Sequence, residues 1–168
     1  LYYISQSSSP FFNHFKVVRL KPFTRNQTQD LITKPAASLG YSYSPSVIER
    51  IMELSGGQPY YCQALCYEAF ANALKNNRLQ ITDEDVNAAE VARIEDLYPS
   101  FLSYFWNRTN RAERRFLSRL AKREPLNQVK TAAVQRLIDW GLIIQSEDGY
   151  KFASGLFEKW TMMALNRR

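Results

Sequence analysis

Helix start and stop signals follow one another closely in this sequence and favour a bundle of short helices. Ser44 is a typical N-cap residue, and Pro45 fits the first position of the helix that it opens. Gly56 and Gly57 then form a C-terminal stop, and Pro59 begins the next helix after a single residue. The same glycines and proline could instead lie beside an anionic ligand, because glycine lets a ligand approach the backbone closely. The sequence leaves both interpretations open at this point.

The other segments extend the helical pattern and add short strands. Thr24 can cap the helix that follows it, Pro35 is expected to end or kink that helix, and Gly40 stops it. Thr82, with Asp85 three residues later, resembles a capping box. Helices are predicted at residues 25–39, 45–55, 59–76, 83–94, 95–107, 111–123, 129–140 and 155–168, and extended segments at 1–5, 16–20, 78–81, 142–146 and 150–154.

Composition excludes several classes of protein. Hydrophobic residues make up 45% of the 168 residues and aromatic residues 14%, which is enough for a packed core. No apolar run approaches the roughly 20 residues of a membrane span, and no secretory signal pattern is present. Cys62 and Cys66 lie on one helix face, which is a poor geometry for a disulfide, and a single histidine argues against a zinc site. A cytoplasmic protein is therefore predicted.

Charge divides the chain into two unequal parts. Residues 1–95 carry nine basic and nine acidic residues, whereas residues 96–168 carry thirteen basic and seven acidic ones. The second part therefore holds the whole formal net charge of +6. Such asymmetry indicates two units with different partners, and a basic unit can contact nucleic acid, an acidic protein or another part of its own parent protein.

The second unit combines helices with a predicted hairpin whose tip is Asp148-Gly149. Helices followed by a hairpin form the winged-helix arrangement. Only residues 124–128 separate the first helix of this module from the next one, which is too short for a normal second helix. The module is therefore predicted to be an abbreviated winged helix.

Three ordered segments resemble the end of the core and the helical lid of AAA+-like P-loop ATPases, with the archaeal-type and STAND signal-transduction ATPases as the nearest kin. The first is the Leu-x-Pro-Phe-Thr run at residues 20–24, which follows a strand, and the second is the Gly-Gly-x-Pro run at residues 56–59 with Tyr60, Tyr61 and Gln63. Residues 113–122 and 137–160 resemble the winged helix that commonly follows. The chain begins with Leu1, and we expect it to be a piece of a longer protein.

This resemblance implies a mainly α fold. It divides the chain into a remnant of the ATPase core sheet at residues 1–23, a helical-bundle lid domain at 24–95 and an abbreviated α+β winged-helix domain at 96–168. In the family, the Gly-x-Pro element of the lid contacts the bound nucleotide. The nucleotide-facing residues implied here are Gly56, Gly57, Gln58, Pro59 and Tyr60.

The resemblance also implies what this piece needs from the rest of the protein. The sequence contains no G-x-x-x-x-G-K-[ST] motif to hold phosphates and no acidic strand end for magnesium. We therefore expect no catalysis and no cofactor for the piece alone, and ATP or ADP, with Mg²⁺, in the missing core of a parent ATPase. The implied role is a nucleotide-dependent switch that relays its state to a partner, with the missing P-loop core and a protein that docks on the winged helix as expected partners and no membrane.

Two alternatives remain open. In a DNA-binding winged helix, one helix lies in the major groove, and the residues available for contact with duplex DNA are Lys130, Thr131, Gln135 and Arg136. The basic run at residues 111–123 could contribute or could be a solvated helix face. A protein-docking scaffold is the second alternative, in which the aromatic residues between positions 98 and 106 form the partner surface.

Overall fold

The computed structural model describes residues 22–92, 105–126 and 131–166. These ranges are mainly helical with a few short strands, which confirms the predicted fold class. The elements in chain order are α1 (Arg25–Ser38), β1 (Ser42–Tyr43), α2 (Pro45–Ser55), α3 (Pro59–Lys75), β2 (Gln80–Ile81), α4 (Asp83–Ala92), α5 (Arg111–Ala121), α6 (Thr131–Asp139), β3 (Ile143–Ser146), β4 (Gly149–Phe152) and α7 (Gly155–Asn166). The strands predicted at residues 1–5 and 16–20 lie outside the described residues, as does most of the predicted core remnant at 1–23.

Helix α3 is the centre of the first bundle and packs against α1, α2 and α4. Its inward face is apolar, with Leu65 and Ala69 completely buried against Ile51 of α2 and neighbouring core residues. The two short strands β1 and β2 pair in parallel, with Ser42 opposite Gln80 and Tyr43 opposite Ile81. The sequence analysis predicted the extended segment at β2 but not its partner β1.

The predicted helix caps are present, with one correction. Thr24 forms a capping box with Gln27, and the Ser44 hydroxyl accepts a hydrogen bond from the Val47 amide at 3.4 Å. The prediction that Pro35 ends or kinks α1 is wrong about the end, because the helix continues to Ser38. Proline removes one hydrogen bond, but the last turn is held by its C-terminal cap, where the Gly40 amide donates to the Ala37 carbonyl at 3.0 Å.

A buried carboxylate ties α3, β2 and α4 together. Asp85 is completely buried and accepts hydrogen bonds from the Arg78 guanidinium at 2.6 and 2.8 Å and from the Asn72 amide at 2.7 Å. It also accepts from the Thr82 amide at 2.9 Å, which is the contact expected of Asp85 in the predicted capping box. Burial raises the pKa of Asp85, but the hydrogen bonds from Arg78 and Thr82 outweigh it and hold the pKa below its ordinary value.

The second half of the chain packs α5, α6 and α7 around the β3–β4 hairpin. Phe116 of α5, Leu137 of α6 and Phe157 of α7 are all buried at the centre of this group. The strands are antiparallel, with Ile143 opposite Phe152 and Ser146 opposite Gly149. The hairpin prediction is confirmed, but the tip is Glu147–Asp148, and Gly149 is already the first residue of β4. The proposed boundary at 95/96 falls among residues that the structure does not describe, so the division into domains stays a prediction.

None of the helices within the described ranges combines the length and the apolar character that a membrane span requires.

Candidate functional site

The turn between α2 and α3 needs glycine at two successive positions. Gly56 is the C-cap of α2 in the left-handed region (φ +60°), and its amide donates to the Met52 carbonyl at 2.9 Å. Gly57 follows with φ +72°. Residues with a Cβ atom pay a steric cost in this region, so the pair allows the chain to reverse at low cost. We call residues 56–58 the glycine turn.

Gly57 lies against the segment that leads into α1. Its carbonyl accepts a hydrogen bond from the Phe23 amide at 2.7 Å. A Cβ atom at position 57 would stand 2.6 Å from the Phe23 carbonyl oxygen, closer than real Cβ atoms approach other atoms. Because glycine has no side chain, the backbone at Phe23 can pack directly against the turn at Gly57.

Gly56 lies against the loop between β4 and α7. A Cβ atom at position 56 would stand 1.8 Å from the Ala153 carbonyl oxygen and 3.0 Å from the Ser154 Cα atom. The Ser154 hydroxyl donates to the Leu54 carbonyl at 2.8 Å and accepts from the Phe157 amide at 3.3 Å, so it caps α7 while holding the end of α2. The end of α2 therefore packs closely against the backbone of the β4–α7 loop and is bonded to the Ser154 hydroxyl.

An ion network around one buried carboxylate also joins the two halves of the chain. Glu90 of α4 is only 6% exposed, and it pairs with Arg50 of α2 at 3.3 Å and with Lys159 of α7. Sequence reasoning missed this network because the residues are far apart in the chain. Together with Ser154, it connects α7 to both α2 and α4.

The first turn of α3 differs from the other helix starts whose caps are described. Pro59 occupies the first helical position, and the N-cap Gln58 makes no side-chain hydrogen bond to the helix. Thr24, Ser44 and Asn110, in contrast, each cap their own helix with a side-chain oxygen. Gln58 therefore supplies no capping oxygen to α3, and the partial positive charge at a helix start attracts negative charge.

All five predicted nucleotide-facing residues lie in one short stretch, at the glycine turn and the first turn of α3. Gly56, Gly57, Gln58 and Pro59 are half-buried, whereas Tyr60 is 57% exposed. The Tyr60 ring packs edge-on against Tyr61, with 5.9 Å between the ring centroids. The contact of these residues with a nucleotide stays a prediction.

Two open hollows flank the glycine turn. One, of about 390 Å³, is lined by both glycines, Phe23, Thr28 and the Arg25–Glu49 ion pair. The other, of about 670 Å³, separates the end of α2 from the hairpin and contains Glu53, Lys151 and Glu158. Both are lined by a mixture of aromatic, apolar and charged groups, so each could accept part of a polar ligand.

The four residues predicted to contact DNA do not form one free basic surface within the described part of the chain. Lys130 lies outside the described residues, Thr131 begins α6, and Gln135 donates to the Asp139 carboxylate at 3.0 Å. Arg136 pairs at 2.7 Å with Glu113, which is 1% exposed, donates to the Arg108 carbonyl at 2.8 Å and stacks over Trp140 at 4.6 Å. The guanidinium of Arg136 is therefore used to hold α6 on α5.

The sequence contains one signal for this pair of residues, Glu113 and Arg136. Asn110 and Glu113 have the spacing of a capping box, and the structure forms it, with the Asn110 amide donating to Glu113 at 2.8 Å. A carboxylate fixed at the start of an amphipathic helix can be buried only if a cation or hydrogen-bond donor accompanies it. Arg136 supplies that cation.

Comparison with families of known proteins gives a match over nearly the whole chain. The model of a family described as an AAA-like domain matches residues 2–162. A search of curated proteins found no match to the sequence. The matched range contains the glycine turn, the β4–α7 loop that lies on it and most of α7.

Proposed function

The chain belongs to the AAA-like domain family, and from this premise we propose that it is the lid and winged-helix part of a nucleotide-dependent switch of the archaeal or STAND kind. In this proposal an upstream core supplies the phosphate-binding loop and Mg²⁺, and the piece itself carries no catalytic residue. The piece senses whether ATP or ADP is bound and passes that state to a partner.

One observation carries the proposal: the glycine turn touches both of the parts that a relay has to connect. Gly57 lies under Phe23, in the segment that leads from the proposed core into α1, and Gly56 lies under Ala153, at the start of α7. Each glycine packs against backbone atoms, which cannot move aside as a flexible side chain can. A displacement of the turn by a ligand is therefore transmitted directly to the backbone of both neighbours.

The chemistry of the turn suits a nucleotide. The α3 helix starts at Pro59 and receives no side-chain cap from Gln58, and the positive end of its dipole favours an anionic or polar group. Phe23, 39% exposed, and Pro59 offer apolar surface on which a base can lie. Phosphates would be held by the core, so the turn would read the base and sugar side of the ligand.

The buried contacts between α2, α4 and α7 support a relay rather than a flexible tether. Ser154 and Lys159 both lie on the α7 side and bond to Leu54 and Glu90 on the lid side. A helix held at two points moves as a unit with the bundle to which it is attached. The ligand shifts the equilibrium only if it binds one arrangement more tightly than the other.

The test uses the protein that includes its phosphate-binding core. Pro59→Arg places a long charged side chain at the proposed ligand-facing edge, and we expect it to weaken ADP binding at least ~10-fold, a loss of about 1.4 kcal/mol. Leu74→Arg is the matched control, since Leu74 is 53% exposed near the other end of the same helix. Equal ADP affinity for the Pro59→Arg and control proteins in a calorimetric titration would refute the nucleotide-facing role of the turn.

A further inference from the structure

The outer face of α5 carries a line of cations that the proposed switch does not use. The inner face of this helix is buried through Phe116, Leu117 and Ala121. On the opposite side, Arg111 and Arg115 are exposed, and Lys122, the C-cap residue, continues the line. We call Arg111, Arg115 and Lys122 the α5 basic stripe.

The stripe runs nearly straight along the helix. At 3.6 residues per turn, positions 111, 115 and 122 fall within an arc of about 40° on the helix. With a rise of 1.5 Å per residue, the stripe extends over about 16 Å along the helix axis. Ser118 lies about 20° from the edge of this arc, between Arg115 and Lys122 along the axis, so no acidic side chain interrupts the line.

The three cations of the stripe make no ion pair and no hydrogen bond with another residue in the described ranges. The neighbouring Arg114, by contrast, donates to the Thr109 hydroxyl at 3.1 Å and to the Trp106 carbonyl at 2.9 Å, and lies over the Trp106 ring. Arg114 therefore fastens residues 106–109 to α5 and is not counted in the stripe. Like charges one turn apart on a helix repel each other unless a counter-ion accompanies them.

The stripe borders an open groove of about 960 Å³ between α5 and the end of α7. Among the described residues that line it, Glu124 is the acidic one, and it lies 3.8 Å from Arg119. Leu165 is the apolar residue of the lining, and the remainder is hydroxyl or basic. Protein partners are anchored by buried aromatic and apolar residues, and the described lining offers only Leu165 of this kind, whereas a polyanion needs only cations.

We propose that the α5 basic stripe binds the phosphate backbone of duplex DNA without reading the base sequence. Arginine presents a planar fork of donors that fits two phosphate oxygens at once, and two of the three stripe residues are arginines. Among the described residues of the groove lining, none is an aromatic side chain on which an unpaired base could stack, which favours a duplex over a single strand. Contacts of this kind position a protein on DNA but carry no sequence information.

The α5 basic stripe is distinct from the DNA contact through α6 that the sequence predicted. Arg136 of α6 is committed to Glu113, whereas the stripe lies on the outer side of α5. The proposal is independent of nucleotide sensing, because none of its residues touches the glycine turn. A nucleotide switch with a DNA-binding surface would localise its output to a chromosome.

The experiment measures the affinity of the full chain for a fluorescent DNA duplex by anisotropy at several salt concentrations. Each neutralised phosphate contributes about −0.9 to the slope of log K against log salt, so three contacts predict a slope of about −2.7. Affinity should then fall about 40-fold between roughly 50 and 200 mM salt. The double variant Arg111→Glu/Arg115→Glu should bind at least ~10-fold more weakly and lower the slope by about 2.

The matched control is Lys34→Glu/Lys75→Glu, which changes the net charge equally at exposed residues of α1 and α3. It should retain the slope and most of the affinity. Duplexes of unrelated sequence should bind alike, and a Glu-rich peptide of equal charge should not displace them.

Three results would overturn the proposal: no duplex binding at low salt, equal weakening by the stripe and control variants, or efficient displacement by the acidic peptide. A preference for an RNA duplex over a DNA duplex would also contradict it. Circular dichroism of each variant confirms that lost binding does not reflect lost folding, and Arg111→Gln/Arg115→Gln repeats the test without charge reversal.

Discussion

Replacing Gly56 by alanine tests whether this glycine is needed for packing against the second half of the chain as well as for the local turn. Alanine at φ +60° costs about 1 kcal/mol of backbone strain. In addition, its Cβ atom would collide with the Ala153 carbonyl oxygen at 1.8 Å, so the β4–α7 loop must move. Movement of that loop breaks the buried hydrogen bond between Ser154 and Leu54, which costs about 2 kcal/mol. We therefore expect Gly56→Ala to lower the free energy of unfolding by about 3 kcal/mol.

Gly40→Ala provides the control for backbone strain alone. Gly40 has φ +79° at the end of α1, and a Cβ atom there would meet nothing within 4 Å. Its replacement should cost only about 1 kcal/mol. Both variants can be compared by urea unfolding, followed through the fluorescence of the tryptophans, which all lie in the second half of the chain. Equal costs for the two variants would refute the claim that Gly56 is required for close packing against α7.

Three further predictions concern buried polar groups. Glu113→Gln weakens the pair between the buried Glu113 carboxylate and the partly exposed Arg136 guanidinium and should lower the free energy of unfolding by about 2 kcal/mol in urea titrations. The folded-state pKa of Asp85 lies below its unfolded value, so its contribution to stability is present above about pH 4 and is lost as pH falls further. Asp85→Asn should therefore flatten the dependence of unfolding free energy on pH between about 5 and 2. Iodoacetamide should modify Cys66 in the folded protein, since a hydrogen bond from Cys62 lowers its pKa, and should modify the completely buried Cys62 only after unfolding.

Exposed residues of the same type serve as controls for these predictions. Glu147→Gln at the hairpin tip should change stability by less than about 0.5 kcal/mol, and a similar effect for Glu113→Gln would contradict the account of the buried pair. Asp83→Asn, on the exposed first turn of α4, should leave the pH dependence of the wild type largely in place. Equal labelling rates for the two cysteines under native conditions would show that Cys62 is not enclosed as described.

Local signals in the sequence predicted most of the helices, because a cap acts within one turn of the residue that forms it. Ser44 and Pro45 specify the start of α2, and Gly56 its end, without help from distant residues. Pro35 was misjudged because its effect depends on the rest of α1: Ile32 and Ala36 are buried and keep the last turn in place. Strand β1 was missed because two residues show no periodicity, and its pairing with β2 involves a residue pair far apart in the chain.

Only part of the candidate site could be predicted from the sequence. That Gly56 and Gly57 stop a helix follows from their type, but the backbone that lies on each glycine cannot be known from the turn itself. Arg136 was predicted from the sequence to contact DNA, but the structure pairs it with Glu113. An isolated cation on an amphipathic helix resembles a DNA contact until its buried partner Glu113 is located. Packing between distant segments decided both cases.

Hydrogen exchange of the β4–α7 junction tests the central claim most directly. The protein with its phosphate-binding core would be labelled in the presence of ADP and of ATP, and exchange would be followed at residues 57–62 and at the Phe157 amide, which donates to Ser154. The account predicts protection of the glycine turn by nucleotide and a different exchange rate at Phe157 in the two nucleotide states. Nucleotide binding with identical exchange at Phe157 in both states would contradict a relay through the glycine turn.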